Sequence, residues 1–243
     1  MTAFSLRQSM FIDRGGREPN ASRQKLLLHC DGPVGSTGFR DASYSARGLA
    51  TVNGNVAVSD TQVKFRQCAA FDGTGDYLTY PDHADWDFGT EDFFIQLFIY
   101  QSSAATKFLV AKRASNAGIA PFILYVDNSP AVHFSCSTNG SSYNVSIDVS
   151  TGIAGAWRHI AAGRASGVFR LWNGGAVIGT PVSNASALMT NSVALSIGAH
   201  ANGDLAFNGY MDEIRIDKGA GCCPTGAFTP PPGPLTGARL SWN

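Results

Sequence analysis

The stretch FFIQLFIY, residues 93–100, alternates along its length and decides the fold class of this chain. Successive side chains of a β-strand point to opposite faces of a sheet, so residues two apart share a face. We therefore expect Ile95 and Leu97 to lie on the core face, together with Phe93 and Ile99. The opposite face then carries Phe94, Gln96, Phe98 and Tyr100.

Similar short apolar segments recur along the chain, and most of them end at Gly, Asn or Asp. Many short strands separated by turn residues, with little helical periodicity, are typical of a β-sandwich, and here we expect about twelve to fourteen strands. The further predicted strands are residues 26–28, 56–58, 63–65, 69–71, 77–80, 106–111, 122–126, 131–135, 142–147, 157–162, 168–172, 176–179, 194–197 and 207–214.

Several of these segments belong to longer sequence motifs that follow one another in a characteristic order. The motifs are LLLHCDG (26–32), AFDGTGDYL (70–78), WRHIA (157–161), FRLWNGG (169–175), LSIG (195–198) and FNGYMDEIRI (207–216). In this order they resemble the concanavalin A-like, laminin-G-like jelly-roll domain of bacterial and bacteriophage proteins, over about residues 26–232. The resemblance implies an all-β fold, a two-sheet antiparallel β-sandwich. This fold serves lectins, adhesive domains, virion proteins and some glycoside hydrolases, so it leaves the function open.

Composition narrows the function classes. Charged residues make up 15% of the 243-residue chain and the formal net charge is zero, so no basic surface for nucleic acid is indicated. No run of 18 apolar residues predicts insertion into a membrane, and residues 1–25 lack the apolar segment of a signal peptide. The five cysteines lack zinc-site spacing, which favours synthesis in a reducing cytoplasm.

The chain divides by composition into three parts. Residues 1–24 predict an extended N-terminal arm, residues 25–218 the laminin-G-like sandwich, and residues 219–243 a Pro/Gly-rich tail packed along the surface. The arm either is a loose terminus or docks on a neighbouring subunit, in which case copies of this chain and other virion proteins are its partners. Its candidate docking side chains are Phe4, Phe11 and Ile12.

Aromatic and polar side chains suggest a sugar-binding patch. Strand alternation places Trp172 and Arg170 on one face of their strand, and Tyr100 and Gln96 on the non-core face of theirs. If both faces belong to one sheet, the four residues form a glycan-binding surface. The alternative is that loops or the C-terminal tail cover these aromatic rings. Trp157 lies in a structural phrase, and we expect it to pack inside the sandwich.

Calcium is the one cofactor that the sequence suggests. The resemblance places Asp31 and Asp212 near the first and last strands, which are usually neighbours in this fold, and Ca²⁺ prefers oxygen ligands of this kind. The alternative is that Asp31 shapes the turn before Gly32 and that Asp212 pairs with an arginine or caps a turn.

Catalysis lacks support in the sequence. Retaining glycosidases need two carboxyl groups about 5–5.5 Å apart, and relatives of this fold supply them from alternate positions of one strand. No Glu-x-Asp-x-Glu motif occurs in the chain, and Asp212 and Glu213 are adjacent, which predicts opposite faces. We therefore expect a protein that is not an enzyme.

These inferences predict a non-enzymatic, virion-associated protein with a lectin-like domain. A bacteriophage head decoration, tail or fibre protein would act in particle assembly, attach to glycans, and reach its virion from the host cytoplasm without a signal peptide. A secreted or surface carbohydrate-binding module is the first alternative. A glycoside hydrolase, with carboxylates brought together from separate strands, is the second.

Overall fold

The computed structural model describes residues 21–129, 131–150 and 154–237. The candidate arm residues Phe4, Phe11 and Ile12 lie outside these ranges. The two described helices, Ala21–Arg23 and Ala84–Trp86, are single 3-10 turns, and neither could cross a membrane. The described strands are β1 Gln24–Leu28, β2 Thr51–Asn53, β3 Ala57–Ser59, β4 Cys68–Asp72, β5 Tyr77–Tyr80, β6 Phe93–Gln101, β7 Lys107–Ala111, β8 Phe122–Val126, β9 Ala131–Cys136, β10 Val145–Ser150, β11 Trp157–Ala165, β12 Val168–Asn173, β13 Ala176–Ser183, β14 Leu195–Ile197 and β15 Asn208–Lys218.

Two antiparallel sheets pack face to face, which confirms the predicted all-β sandwich. Sheet I has the order β13-β12-β11-β6-β15-β4-β3, and β1 also pairs with β15. Sheet II has the order β10-β9-β8-β7-β14-β5-β2. The first and last strands are therefore neighbours, as the resemblance implied. The three-part division of the chain stays a prediction, with β1 beginning at Gln24 and β15 ending at Lys218.

The core lies between the two sheets and follows the alternation seen in residues 93–100. Phe93, Ile95, Leu97 and Ile99 are fully buried in it. The ring of Phe93 stacks on that of Phe88 at a centroid distance of 4.1 Å. Burial of each large apolar side chain contributes about 1.5–3 kcal/mol relative to exposure, so this face fixes which side of β6 turns outward.

A C-terminal segment crosses the outer face of sheet I, and we call residues 219–237 the strap. Phe228 of the strap packs against Phe94 and Trp172, and its backbone N–H donates to the Gly175 carbonyl at 2.9 Å. A Cβ atom at Gly175 would lie 1.9 Å from the Phe228 carbonyl oxygen, so only glycine permits this approach. The strap thereby covers Phe94 and Trp172 on the outer face of sheet I.

Candidate functional site

Strand register places one row of side chains across five strands of sheet I. Residues paired across antiparallel strands share a face, and the inner faces of these strands form the core. The outer row, from β3 through β4, β15 and β6 to β11, consists of Ala57, Ala70, Tyr210, Tyr100 and Trp157. The row thus places three aromatic rings beside two small side chains.

The ring of Tyr100 contacts those of Trp157 and Tyr210, and all three rings remain partly exposed. The Tyr100 ring centroid lies 6.1 Å from that of Trp157 and 6.1 Å from that of Tyr210. Both pairs meet edge to face, at interplanar angles of 62° and 69°, an arrangement that aromatic quadrupoles favour. All three residues are partly exposed, so the row offers apolar ring surface to a ligand.

A cleft of about 300 Å³ lies at the Ala57 end of the row and extends to Tyr210. The alanines leave space above β3 and β4, and polar side chains surround that space. The polar residues that line it are Asn55, Asp72, Asp76, Ser102 and Asn208. Apolar ring surface therefore leads directly into a site with carboxylate, amide and hydroxyl groups.

Backbone hydrogen bonds hold the cleft in shape. Asp76 is buried, and its carboxylate accepts from the backbone N–H groups of Asn55 at 2.7 Å and Asp72 at 2.9 Å. The Asn208 side-chain amide donates to the Asp72 carbonyl at 3.2 Å. Asp72 itself is exposed. Asp76 is thus a structural anchor, and Asp72 is the carboxylate that faces solvent.

The loop between β3 and β4 bounds the row on its other side. Phe65 of this loop packs edge to face on Phe98 at a centroid distance of 5.1 Å. The Lys64 ammonium lies 4.9 Å from the centroid of the Phe98 ring, within cation–π range. The loop thereby covers Phe98, which is the neighbour of Tyr100 on the same face, and forms one wall beside the outer row.

The structure corrects the sugar-binding patch predicted from Trp172, Arg170, Tyr100 and Gln96. Trp172 is fully buried beneath the strap, and its indole N–H donates to the Gly226 carbonyl at 2.9 Å. Its ring also meets Phe94 edge to face. The register of β12, β11 and β6 places Trp172 and Gln96 on one face, which meets the condition set for the patch. Trp172 is nevertheless covered by the C-terminal tail, as the alternative expected.

The other three residues of that prediction have different environments in the structure and do not form one patch. Gln96 is buried, with its side-chain oxygen 3.0 Å from Nε2 of His159. Arg170 is partly exposed and donates to the Val168 carbonyl of its own strand at 3.3 Å. Only Tyr100 belongs to the outer row. Burial under the strap and a hydrogen bond within the sheet therefore replace the predicted ligand contacts.

Sequence reasoning missed two of the three aromatic residues in the row. Trp157 was expected inside the sandwich, but it lies on the outer face opposite Tyr100, because the core side of β11 carries Ile160 and Ala162. Tyr210 alternates with the buried Met211, which is the one local signal that would have pointed to it.

The predicted metal residues lie at the junction of β1 and β15. Asp31 accepts a hydrogen bond from the backbone N–H of Gln67 at 3.2 Å. Asp212 is buried. The backbone N–H groups of Glu213 and Phe65 lie near its carboxyl group, but neither carboxyl oxygen has a hydrogen-bond partner among the described residues. Within residues 21–129, 131–150 and 154–237, no three His, Cys, Asp or Glu side chains are arranged to hold a metal ion. The calcium site therefore stays a prediction.

A bulge in β15 changes the expected geometry of the adjacent acids. The register shifts between Asp212 and Arg215, and Glu213 adopts a left-handed backbone conformation with φ of 51°. Glu213 is buried as well, with its carboxylate 2.9 Å from Nδ1 of His29 and accepting from the Leu235 N–H at 2.8 Å. Glu213 thus joins the end of β1 to the strap.

These contacts shift the pKa values of both neighbouring groups. Burial, together with the negative charges of Glu213 and Asp31, raises the pKa of Asp212 to about 8. Burial lowers the pKa of His29, but its hydrogen bond and charge interaction with Glu213 outweigh that effect and raise the pKa overall. At neutral pH, Asp212 is therefore mainly protonated.

The substitution Asp212→Asn is expected to weaken the pH dependence of stability. Since the pKa of Asp212 rises from 3.8 to about 8 on folding, its stabilising effect is complete below about pH 4 and is lost as the pH rises to about 8. Urea unfolding at pH 5 and pH 8.5 measures this. The wild type should lose stability between the two, and the variant should lose clearly less. An undiminished pH dependence in the variant would contradict the assignment. A smaller remaining pH dependence is expected, because the pKa values of His29, Asp217, His159 and His200 are also shifted.

Comparison with known proteins identifies the family of this chain. The family model of the concanavalin A-like lectin/glucanases superfamily matches residues 72–220. Curated protein sequences yield no match. Solved structures similar to the chain include the binding domain of Paraclostridial Mosquitocidal Protein 1, with a TM-score of 0.62 and 14% identity over 82% of this chain and 50% of that one.

Two further solved structures share the fold. One is from a study of botulinum neurotoxin type C, whose cell entry is dependent upon interaction with two ganglioside molecules. Its TM-score is 0.58, with 13% identity over 82% of this chain and 49% of that one. The other is domain 4 of AbnA, an extracellular arabinanase from Geobacillus stearothermophilus, in complex with arabinotriose. Its TM-score is 0.56, with 16% identity over 82% of this chain and 93% of that one.

The chain spans about half the length of the two toxin structures, and at these identities the likeness shows the fold alone. The family match covers most of the sandwich, from the end of β4 to just beyond β15. The two-sheet architecture and the match over residues 72–220 therefore establish that this protein belongs to the concanavalin A-like lectin/glucanase superfamily.

Proposed function

We propose that this protein is a non-enzymatic carbohydrate-binding module that holds sugar rings on the outer row. The observation that carries the proposal is the line of partly exposed Trp157, Tyr100 and Tyr210 rings that leads into the polar cleft. Aromatic rings pack against the apolar faces of sugars, and the few polar groups of a site fix the orientation of the ligand. Asp72, Asn208 and Ser102 are placed to bond sugar hydroxyls.

Two relatives in fold support a carbohydrate ligand. Domain 4 of AbnA was solved with arabinotriose, and the botulinum neurotoxin structure concerns ganglioside molecules. The printed descriptions of both relatives thus name sugar-containing ligands, which makes a glycan the first ligand class to test for this chain.

The carboxylates near the site favour binding over hydrolysis. A glycosidase needs one carboxyl group as acid and a second as base or nucleophile. In the cleft, Asp72 faces solvent, but the Asp76 carboxylate is buried and already accepts from two backbone N–H groups. Glu213 is engaged by His29 and Leu235. A glycoside hydrolase therefore has less support than a binding module.

As the biological setting we propose a virion-associated protein of a bacteriophage, with other virion proteins and copies of itself as partners. Support for this setting is the sequence resemblance alone. Many copies on one particle would turn weak binding at each site into strong attachment. A secreted or cell-surface module, the first alternative, would use the same outer row. Calcium at Asp31 and Asp212 remains a separate proposal.

Truncation of Trp157 or Tyr100 is expected to weaken glycan binding about thirtyfold or more, because a central aromatic contact contributes about 2 kcal/mol. The test is a glycan array probed with the multivalent full chain, followed by titration of the glycans that bind. Trp157→Ala and Tyr100→Ala should both lose the signal.

Tyr125→Ala is the matched control, since Tyr125 is also a partly exposed aromatic residue but stands on sheet II, stacked on His133 at 4.5 Å. It should bind like the wild type. Equal losses in all three variants, or no glycan bound by the wild type, would reject the proposal. Repeating the array in EDTA tests the calcium proposal separately.

A further inference from the structure

A buried histidine lies beneath the middle of the strap. His159 stands on the outer face of β11, where it pairs with Phe98 of β6. Its ring meets that of Phe98 edge to face at a centroid distance of 5.0 Å. On its other side it meets the ring of Phe228, from the strap, at 5.6 Å and an interplanar angle of 84°. The imidazole is therefore part of the surface on which the strap packs.

Hydrogen bonding shows which ring nitrogen of His159 carries the proton. Nε2 lies 3.0 Å from the side-chain oxygen of Gln96, and an amide oxygen can only accept, so Nε2 is the donor. Nδ1 is then the unprotonated nitrogen, and it is buried with no hydrogen-bond partner in the part of the chain that the structure describes. A second proton would bind there and create a buried N–H group without an acceptor, which is costly.

The surroundings of His159 offer no negative charge to balance a protonated ring. The uncharged residues around it are Gln96 and Phe98 on β6, Phe228 on the strap and Gly174 after β12. The Lys64 ammonium, 4.9 Å from the centroid of the Phe98 ring, adds a positive charge nearby. Asp212 pairs with Phe98 from the far side, and its raised pKa keeps it uncharged in acid. Both the burial and the charges thus oppose protonation.

The same surroundings make the closed strap sensitive to acid. Burial, together with the positive charge of Lys64, lowers the pKa of His159 from 6.5 to about 4. Once the strap lifts, water reaches the ring and its ordinary pKa returns. The closed form therefore binds fewer protons than the open one. Its stabilisation by neutral His159 is complete above about pH 6.5 and is lost as the pH falls to about 4.

The middle of the strap is anchored separately from its ends. In the middle, the Phe228 N–H donates to the Gly175 carbonyl and the Trp172 indole N–H donates to the Gly226 carbonyl, both at 2.9 Å. The ends are held elsewhere: the Gly219 N–H donates to the Asp92 carbonyl, and the Leu235 N–H donates to the Glu213 carboxylate, both at 2.8 Å. The middle can therefore lift while both ends stay attached.

We infer that the strap is an acid-released cover of sheet I. When His159 takes up a proton from solvent, Phe228 and the middle of the strap lift from the sheet, while the sandwich and both ends of the strap stay in place. Phe94 and Trp172 then become exposed as an apolar surface. This switch does not depend on the proposed carbohydrate site.

Hydrogen exchange measured by NMR on the full chain tests the switch, because the protection of an N–H group reports how often it opens. The Phe228 backbone N–H and the Trp172 indole N–H are the two reporters. After correction for the intrinsic effect of pH, their protection should fall about a hundredfold between pH 7 and pH 4. Backbone amides at the centre of β6 should keep most of theirs.

His159→Gln is the variant that removes the switch, since its amide can still donate to Gln96 but takes up no proton in this range. The protection of both reporters should then change less than about threefold between pH 7 and pH 4. His200→Gln is the matched control, because His200 is also buried with unpartnered ring nitrogens but stacks on Phe108 of sheet II. It should respond like the wild type. Thermal unfolding at pH 7 checks that both variants fold.

Three outcomes would overturn the inference. The first is unchanged protection of the reporters at pH 4, and the second is an equal fall in His159→Gln. The third is an equal fall at the centre of β6, which would show that the whole sandwich opens. If His159→Gln does not fold, NMR titration of the His159 ring in the wild type decides. Its midpoint must coincide with the loss of strap protection, and separate midpoints would contradict the switch.

Discussion

Replacement of Trp172 by Ala is expected to lower the free energy of unfolding by about 3–5 kcal/mol. Trp172 is fully buried between β12 and the strap, and its ring contacts Phe94 and Phe228. Its indole N–H donates to the Gly226 carbonyl at 2.9 Å. Truncation would leave a cavity under the strap and an unpaired carbonyl, and both cost stability. Urea unfolding followed by circular dichroism measures the difference.

Trp157→Ala is the matched control for this prediction. Trp157 lies on the same face of the same sheet but is partly exposed, so its removal should cost about 1 kcal/mol. The two substitutions should therefore have different effects: Trp172→Ala lowers stability, whereas Trp157→Ala weakens ligand binding. Equal destabilisation by the two substitutions would contradict the burial assigned to Trp172.

Lys112→Met is expected to cost about 3 kcal/mol of stability, at the lower end of the range for breaking a buried ion pair. The Lys112 side chain is fully buried, and its ammonium lies 2.7 Å from Asp82, 2.6 Å from Asp87 and 2.6 Å from the Asn191 carbonyl. Both carboxylates are about one-third exposed, so water can solvate them after the lysine is removed and limits the loss.

The control for this prediction is Lys107→Met, on the same strand but partly exposed, which should change stability by less than about 0.5 kcal/mol. Adding Asp82→Asn and Asp87→Asn to Lys112→Met should recover part of the loss, because the unpaired negative charges are then removed. A Lys112→Met variant as stable as the Lys107→Met control would contradict the stabilising effect assigned to the Lys112 ion pairs.

The strands with clear alternation could be predicted because their pattern is local. Residues 93–100 bury the expected side chains, and the face that carries Tyr100 was predicted correctly. Residues 63–65 have the same alternation but form a loop, in which Val63 is exposed and Phe65 covers Phe98. Alternation of apolar and polar residues over only three positions cannot distinguish a strand from a loop that packs on the sheet.

The candidate site could be predicted only in part, because it depends on which strands become neighbours. Tyr100 was named from alternation, but its alignment with Trp157 and Tyr210 joins residues more than fifty positions apart in sequence. Register between such distant strands is a property of the whole sheet. No local feature of β11 or β15 reveals it.

A tail packed along the surface was predicted, but neither its contact residues nor the bulge in β15 could be predicted from local sequence. Phe228 lies in a Pro-rich segment without periodicity, and its contact with Trp172 follows from tertiary packing. The bulge in β15 shifts the alternation at Asp212, which brings Glu213 into contact with His29. One such irregularity is enough to change the face of every residue that follows it.

The most direct test of the central claim is the crystal structure of the full chain with the oligosaccharide that binds best. We predict electron density for sugar rings over Trp157, Tyr100 and Tyr210, continuing into the cleft at Asp72 and Asn208, with the strap still in place over Trp172. Sugar density on sheet II, or in a site opened by displacement of the strap, would contradict the assignment of the outer row as the binding site.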